Sequence, residues 1–108
     1  MKENEAMQLQ IRKGLIEFCV LLAIKKKTKV YTSEILEMLK KSNMIIVEGT
    51  LYPLLSRLKT QELVDYDWEE SRSGPPRKYY SLTKKGEEQL GLLKKTWSSL
   101  INSIESLY

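Results

Sequence analysis

Histidine is absent from this chain of 108 residues, and there is one cysteine, Cys19. Without an imidazole, neither a Ser-His or Cys-His nucleophile pair nor a histidine metal cluster can be assembled. A lone cysteine excludes an intrachain disulfide and any multi-cysteine zinc site. Cys19 lies in the apolar run from Leu15 to Ile24, where a buried, inert thiol is expected. That run is too short, and too charged at its flanks, to span a bilayer, and no cleavable signal pattern precedes it. The expected compartment is cytoplasmic. No glycine-rich phosphate cradle is present, so the absences together point away from an enzyme, and no cofactor or metal is expected. Glycine and proline are scarce too, 5 and 3, against 42% hydrophobic and 30% charged residues. Such a chain folds rather than staying disordered.

What is present is basic. Lys and Arg number 18 against 14 Asp and Glu, for a net charge of +4, which favours a polyanionic partner. The length suits one domain, or one domain plus an assembly element, and a partner chain can supply part of the burial.

One stretch carries an unusual surface. In Glu48-Gly49-Thr50-Leu51-Tyr52-Pro53-Leu54-Leu55-Ser56-Arg57-Leu58, the leucines 51, 54, 55 and 58 fall on one stripe of a helix. The remaining face carries Thr50, Tyr52, Pro53, Ser56 and Arg57, where an ordinary solvated face would carry Lys and Glu. Hydroxyls, a phenol and a guanidinium can all touch base edges or phosphates. Proline is tolerated within a first helical turn, so Thr50 is the expected N-cap; a start nearer Glu48 predicts a local distortion between Gly49 and Pro53.

The rest of the chain supplies the context. Asn4 to Lys25 reads as a first helix, with Met7, Ile11, Leu15, Phe18 and Leu22 on one stripe and its second half apolar nearly all round. Lys25 to Lys29 reads as a basic connector. A second helix opens near Tyr31-Thr32-Ser33-Glu34, with Thr32 or Ser33 as N-cap and Ile35, Leu36 and Leu39 buried, and Ser42-Asn43 ends it. Leu63 to Glu69 and Lys78 to Leu82 alternate as strands. Between them Glu70 to Arg77, rich in Ser, Gly and Pro, predicts a hairpin whose connection is longer than a tight turn, with Arg72, Arg77 and Lys78 at its tip. A helix pair followed by a basic-tipped hairpin is the winged form of the helix-turn-helix. A solvated tip with no duty accounts for the same residues.

From Thr83, a good N-cap, the last helix runs to the C-terminus. Leu90, Leu93, Trp97, Leu100, Ile104 and Leu107 are spaced as an a/d seam over about two and a half heptads. Two-fold pairing with a second copy and packing on the first helix both suit it. The fold class is therefore mainly α with a small β-hairpin (α+β): a winged helix-turn-helix over residues 1–82 and a long C-terminal dimerisation helix over 83–108.

Two of these motifs resemble a known family. Gly49 to Leu58 is similar to the recognition-helix signature of PadR-type transcriptional regulators. Gly74-Pro75-Pro76-Arg77-Lys78-Tyr79-Tyr80-Ser81-Leu82-Thr83-Lys84-Lys85-Gly86 is similar to that family's wing and the start of its C-terminal helix. Lys13-Gly14-Leu15 resembles its first helix. The similarity covers nearly the whole chain and fits the compact subclass with a single C-terminal dimerisation helix. It implies a homodimeric repressor that binds a pseudo-palindromic operator in double-stranded DNA and is released by a small molecule or other signal. Carried over by position, Thr50, Tyr52, Pro53, Ser56 and Arg57 would face the major groove. Gly74, Pro75, Pro76, Arg77 and Lys78 would form the wing, and Lys13 would reach a phosphate. Some family members bind flat aromatic compounds between paired tryptophans at the dimer interface, which would make Trp97 an effector contact; a space-filling tryptophan is the alternative. Family members often have Ser or Pro before the Gly-Thr, where this chain has Val47-Glu48. Glu48 would be repelled by phosphate, or would accept from a cytosine amino group. A winged-helix protein-interaction adaptor without DNA binding is the competing function, because fold does not fix function.

Overall fold

Four helices and a three-stranded antiparallel sheet follow the apolar periodicity of the chain, in a computed structural model that describes residues 3–108. The first two residues of the 1–82 range lie outside the described residues. The first helix, α1, spans Glu3–Lys27 and so runs two residues past the expected end at Lys25. Its last turn is Lys25, Lys26 and Lys27, cations that suit the negative end of the helix dipole. The basic connector accordingly shrinks to Thr28 and Lys29. Val20, Leu21, Ala23 and Ile24 are buried, with Ile16, Phe18, Cys19 and Leu22 half-buried around them. Met7 and Ile11, on the same expected stripe, are 61% and 64% exposed. The stripe is thus covered in its second half and bare in its first.

Strand β1, Val30–Tyr31, is two residues long, too short to announce itself by alternation. It pairs with the hairpin through Val30 opposite Tyr80 and Tyr31 opposite Tyr79. Because Tyr31 is extended by that pairing, it becomes the N-cap of α2, Thr32–Lys41, in place of the expected Thr32 or Ser33. Glu34 reaches back, and its Oε1 accepts from the Tyr31 N–H at 3.0 Å.

Helix α3, Glu48–Thr60, starts from an extended Val47 rather than from Thr50. The Thr50 and Leu51 N–H groups both donate to the Val47 carbonyl, at 3.0 and 3.1 Å, so Thr50 is already inside the helix. Pro53 then falls in the second turn, beyond the position where its missing N–H is free of consequence. The helix nevertheless continues unbroken through it. The carbonyl deprived of its donor belongs to Gly49, which is exposed and open to hydration. Leu51, Leu54, Leu55 and Leu58 are buried as their spacing requires.

Helices α2 and α3 end alike. Met44 N–H donates to Leu39 and Asn43 N–H to Lys40; Leu63 N–H donates to Leu58 and Glu62 N–H to Lys59. Both are Schellman closures, with Asn43 and Glu62 in the left-handed region at φ 60° and 63°. These closures set the directions in which the chain leaves each helix.

The hairpin is tighter than its composition suggests. Strands β2, Val64–Ser71, and β3, Gly74–Leu82, leave only Arg72 and Ser73 as the turn. Glu69 pairs with Arg77 and Ser71 with Gly74, so β3 holds one extra residue at Pro75-Pro76. A bulge is where proline is tolerated in a strand, since no ladder N–H is needed there. Sheet order is β1-β3-β2.

Helix α4 spans Lys84–Glu105, capped as expected by Thr83, whose Oγ1 accepts from Gly86 N–H at 2.9 Å. Leu107 lies just past its end. The Thr83 hydroxyl donates to the Glu62 carbonyl at 2.6 Å, and the Thr83 N–H to the Leu63 carbonyl at 3.1 Å. A Cβ on Gly86 would stand 1.9 Å from the Leu63 oxygen, so only glycine lets α4 start this close to the end of α3. Leu90 is buried and Leu93 half-buried, but Trp97, Leu100, Ile104 and Leu107 are exposed. The Cα radius of gyration is 15.6 Å, against about 13 Å for a compact domain of this length.

Candidate nucleic-acid interface

The polar face of α3 is sorted by helix geometry into a ridge and two flanks. At about 100° per residue, Gly49, Pro53, Ser56 and Thr60 point directly away from the buried leucines. Tyr52 lies on the flank toward the hairpin, and Thr50 and Arg57 on the flank toward α1. All of the site residues expected on this helix are exposed, Tyr52 by 50%.

On the hairpin side lies a groove of about 520 Å³. Tyr52 and Ser56 of α3 line it together with Tyr31, Thr32, Trp68, Pro76, Arg77 and Lys78, among others. The strand register makes this arrangement. Trp68 is opposite Lys78 and Tyr66 opposite Tyr80, which puts all four on one face of the sheet. The Lys78 ammonium stands 4.3 Å from the Tyr66 ring centre and 5.2 Å from that of Trp68, within cation–π range. Trp68 is 61% exposed. Tyr80 is buried, and that burial pushes its phenol above the ordinary range.

Arg77 belongs to the opposite face of β3. Its guanidinium lies 5.3 Å from the Tyr31 ring centre. The Tyr31 phenol is raised above its ordinary value, first by the neighbouring Glu69 carboxylate. Gly74, Pro75 and Pro76 are exposed along the outer part of β3, as a wing requires.

On the α1 side the arrangement is different. Lys13 is exposed and shares a second groove, of about 550 Å³, with Arg12, Glu17, Thr50, Pro53 and Arg57. Arg57 is not a free base reader in this structure. Its Nη2 donates to Glu17 Oε2 at 3.1 Å. Glu48 occupies the first turn of α3, where a carboxylate complements the positive end of the helix dipole. That placement gives it a structural role whatever it meets outside.

Nine of the eleven expected residues line two grooves that flank α3, while Gly74 and Pro75 line neither. Tyr52, Ser56, Pro76, Arg77 and Lys78 share one groove; Lys13, Thr50, Pro53 and Arg57 share the other. Trp68, Tyr31 and Glu17 were not singled out from the sequence as interface residues. The alternation of Tyr66 and Trp68 placed them on a common face, but pairing Trp68 with Lys78 needs a register that the two adjacent prolines obscure.

The profile of the Transcriptional regulator PadR-like family matches residues 20–92. The chain belongs to that family. Among solved structures, a PadR-like transcription factor from Bacteroides fragilis is 47% identical, with 95% of this chain and 99% of that one covered and a TM-score of 0.80. A PadR family transcriptional regulator from Eggerthella lenta DSM 2243 is 30% identical over 95% of this chain and 89% of that one, with a TM-score of 0.88. An uncharacterised protein from Lysinibacillus sphaericus is 33% identical over 60 residues, 56% of this chain and 55% of that protein. The chain thus spans about half the length of that curated relative. As in the PadR fold, the α2–α3 pair and the β2–β3 hairpin make a winged helix domain, and the family's role is DNA-binding transcriptional regulation. Among the described residues no helix is long and apolar enough to cross a membrane.

Proposed function

We propose that this PadR-family regulator is a repressor that binds a pseudo-palindromic operator as a homodimer, with α3 in the major groove and the hairpin on the flanking backbone. The observation that carries the reading is the joint groove of α3 and wing. Tyr52 and Ser56 on one wall and Lys78, Trp68 and Pro76 on the other create an open, cation-bearing, aromatic surface. Phosphate contacts from Lys13, Arg77 and Lys78 would position the protein, and the ridge of Pro53 and Ser56, with Tyr52 beside it, would read bases. Thr50 and Arg57 would act from the α1 flank. Gly74 and Pro75 would let the tip approach the duplex closely.

The second copy would cover the bare seam. Trp97, Leu100 and Ile104 are 39%, 47% and 53% exposed on one face of α4. A contiguous apolar stripe of this kind is rarely left to water. Closed two-fold pairing would place the two α3 helices about one DNA turn apart, or a multiple of that. It would also bring Trp97 toward its mate, forming a slot for a small, flat aromatic effector.

Gel shifts on the promoter of the protein's own gene, across a salt series, test the DNA reading. Tyr52→Ala should lower affinity for the operator far more than for unrelated duplex. Equal loss on both would show that α3 reads no bases. For the effector, planar cationic dyes should quench Trp97 fluorescence in a Trp68→Phe background. Emission unchanged at saturating dye would assign Trp97 to packing alone.

A further inference from the structure

We infer that Glu17 is a positioning residue of the interface: it competes with duplex phosphate for Arg57, so the α1 side delivers one cationic contact fewer than its sequence carries. The inference rests on the DNA-binding reading above. Glu17 is on α1 and Arg57 on α3, forty residues apart in sequence, and the 3.1 Å hydrogen bond joins two residues that line the α1–α3 groove. The charged residues lining that groove are Arg12, Lys13, Glu17 and Arg57, one carboxylate among three cations. Lys13 and Glu17 are four residues apart and so neighbours on one face of α1, which puts a negative charge near any phosphate that Lys13 would hold.

The geometry of α3 adds to this. Arg57 springs from the flank toward α1, and its bond to Glu17 draws the guanidinium farther from the outward ridge of Pro53 and Ser56. Both side chains remain partly solvated, at 58% exposure for Arg57 and 40% for Glu17. A solvated pair of that kind contributes modestly, so holding Arg57 away from a phosphate lowers duplex affinity by a few-fold at most. Sequence-independent affinity should therefore be set partly by an acid on α1, an element outside the helix-turn-helix itself. Salt is the diagnostic, because each phosphate newly neutralised adds about one to the slope of log affinity against log salt.

A mutant cycle on the full chain tests the inference, using a short mixed-sequence duplex and a salt series. Glu17→Gln, which keeps shape and removes charge, should raise affinity roughly two- to five-fold and steepen the salt slope by about one. In an Arg57→Gln background the same change should leave the slope where it was and raise affinity by less. Circular dichroism melts on all four proteins, at one concentration, confirm that each is folded. An equal gain and equal slope change in both backgrounds, or no gain in either, overturns the competition. Wild-type protein with no salt-dependent binding to the duplex refutes the DNA reading itself, and this inference falls with it.

Discussion

The joint between the end of α3 and the start of α4 gives a sharp prediction from one methyl group. A Cβ on Gly86 would lie 1.9 Å from the Leu63 carbonyl oxygen and 2.9 Å from its carbon. Ordinary contact between such atoms is more than 1 Å longer than the first of these distances, and both partners are backbone. The Leu63 oxygen also accepts from Thr83 N–H, and Thr83 caps α4 while bonding the Glu62 carbonyl. Relief therefore requires α4 to move off this corner and to loosen those bonds. Overpacking of this kind costs about 1–3 kcal/mol, against a gain of at most about 1 kcal/mol in helix propensity for alanine over glycine. Gly91, five residues further along the same helix, is exposed and lies off the seam, and a methyl group there would meet nothing within 4 Å. The same substitution at Gly91 should stabilise by up to about 1 kcal/mol. With roughly 4–8 °C of melting temperature per kcal/mol near this size, Gly86→Ala should melt lower and Gly91→Ala higher than wild type. Thermal circular dichroism at one fixed protein concentration measures both, fixed because the proposed self-association would make the midpoint concentration-dependent. A melting point for Gly86→Ala at or above that of wild type would refute the close approach as the reason for glycine.

Other outcomes follow from the same geometry. Arg77→Ala should weaken binding to all duplexes alike and lower the salt slope by about one, measured by gel shift. Leu100→Asp, on the bare α4 stripe, should yield monomer by analytical ultracentrifugation while leaving the far-ultraviolet spectrum of the winged domain recognisable. The Asp65 carboxyl is held below its ordinary value, first by the Tyr66 N–H and then by Lys59. Its folded-state value being the lower one, its contribution is present above the unfolded-state pKa and lost as pH falls through the folded one; Asp65→Asn should destabilise at neutral pH and converge with wild type in acid. Burial pushes the Cys19 thiol up, so alkylation at neutral pH should be far slower than for a free cysteine and accelerate in denaturant.

Much of the architecture is legible in the sequence, because it is written in periodicity. The α3 leucines, the Thr83 cap and the alternation of β2 each depend on residues a few positions apart. The features that differ from expectation depend on distant partners. Val30 and Tyr31 form a strand only because Tyr79 and Tyr80 lie beside them, and that pairing moves the α2 cap to Tyr31. The hairpin connection reads as long because two prolines and a glycine resemble a loop, yet a bulge absorbs one residue and leaves a two-residue turn. Thr50 reads as a cap because Pro53 belongs in a first turn, but the helix tolerates the loss of one bond at exposed Gly49.

The sequence by itself determined that these residues offer no histidine and no second cysteine, which faces of α3 and α4 are apolar, and where the basic residues cluster. These are properties of composition and of spacing along one helix or strand, and local backbone geometry converts them directly into surfaces. Only the tertiary structure decided what the polar faces meet. It set Trp68 across from Lys78 in a groove with Tyr52, gave Arg57 to Glu17, and pressed Gly86 against Leu63. Each of those contacts joins separate elements, so it depends on how the buried leucines and valines lock the helices and sheet together, and no short-range pattern records it.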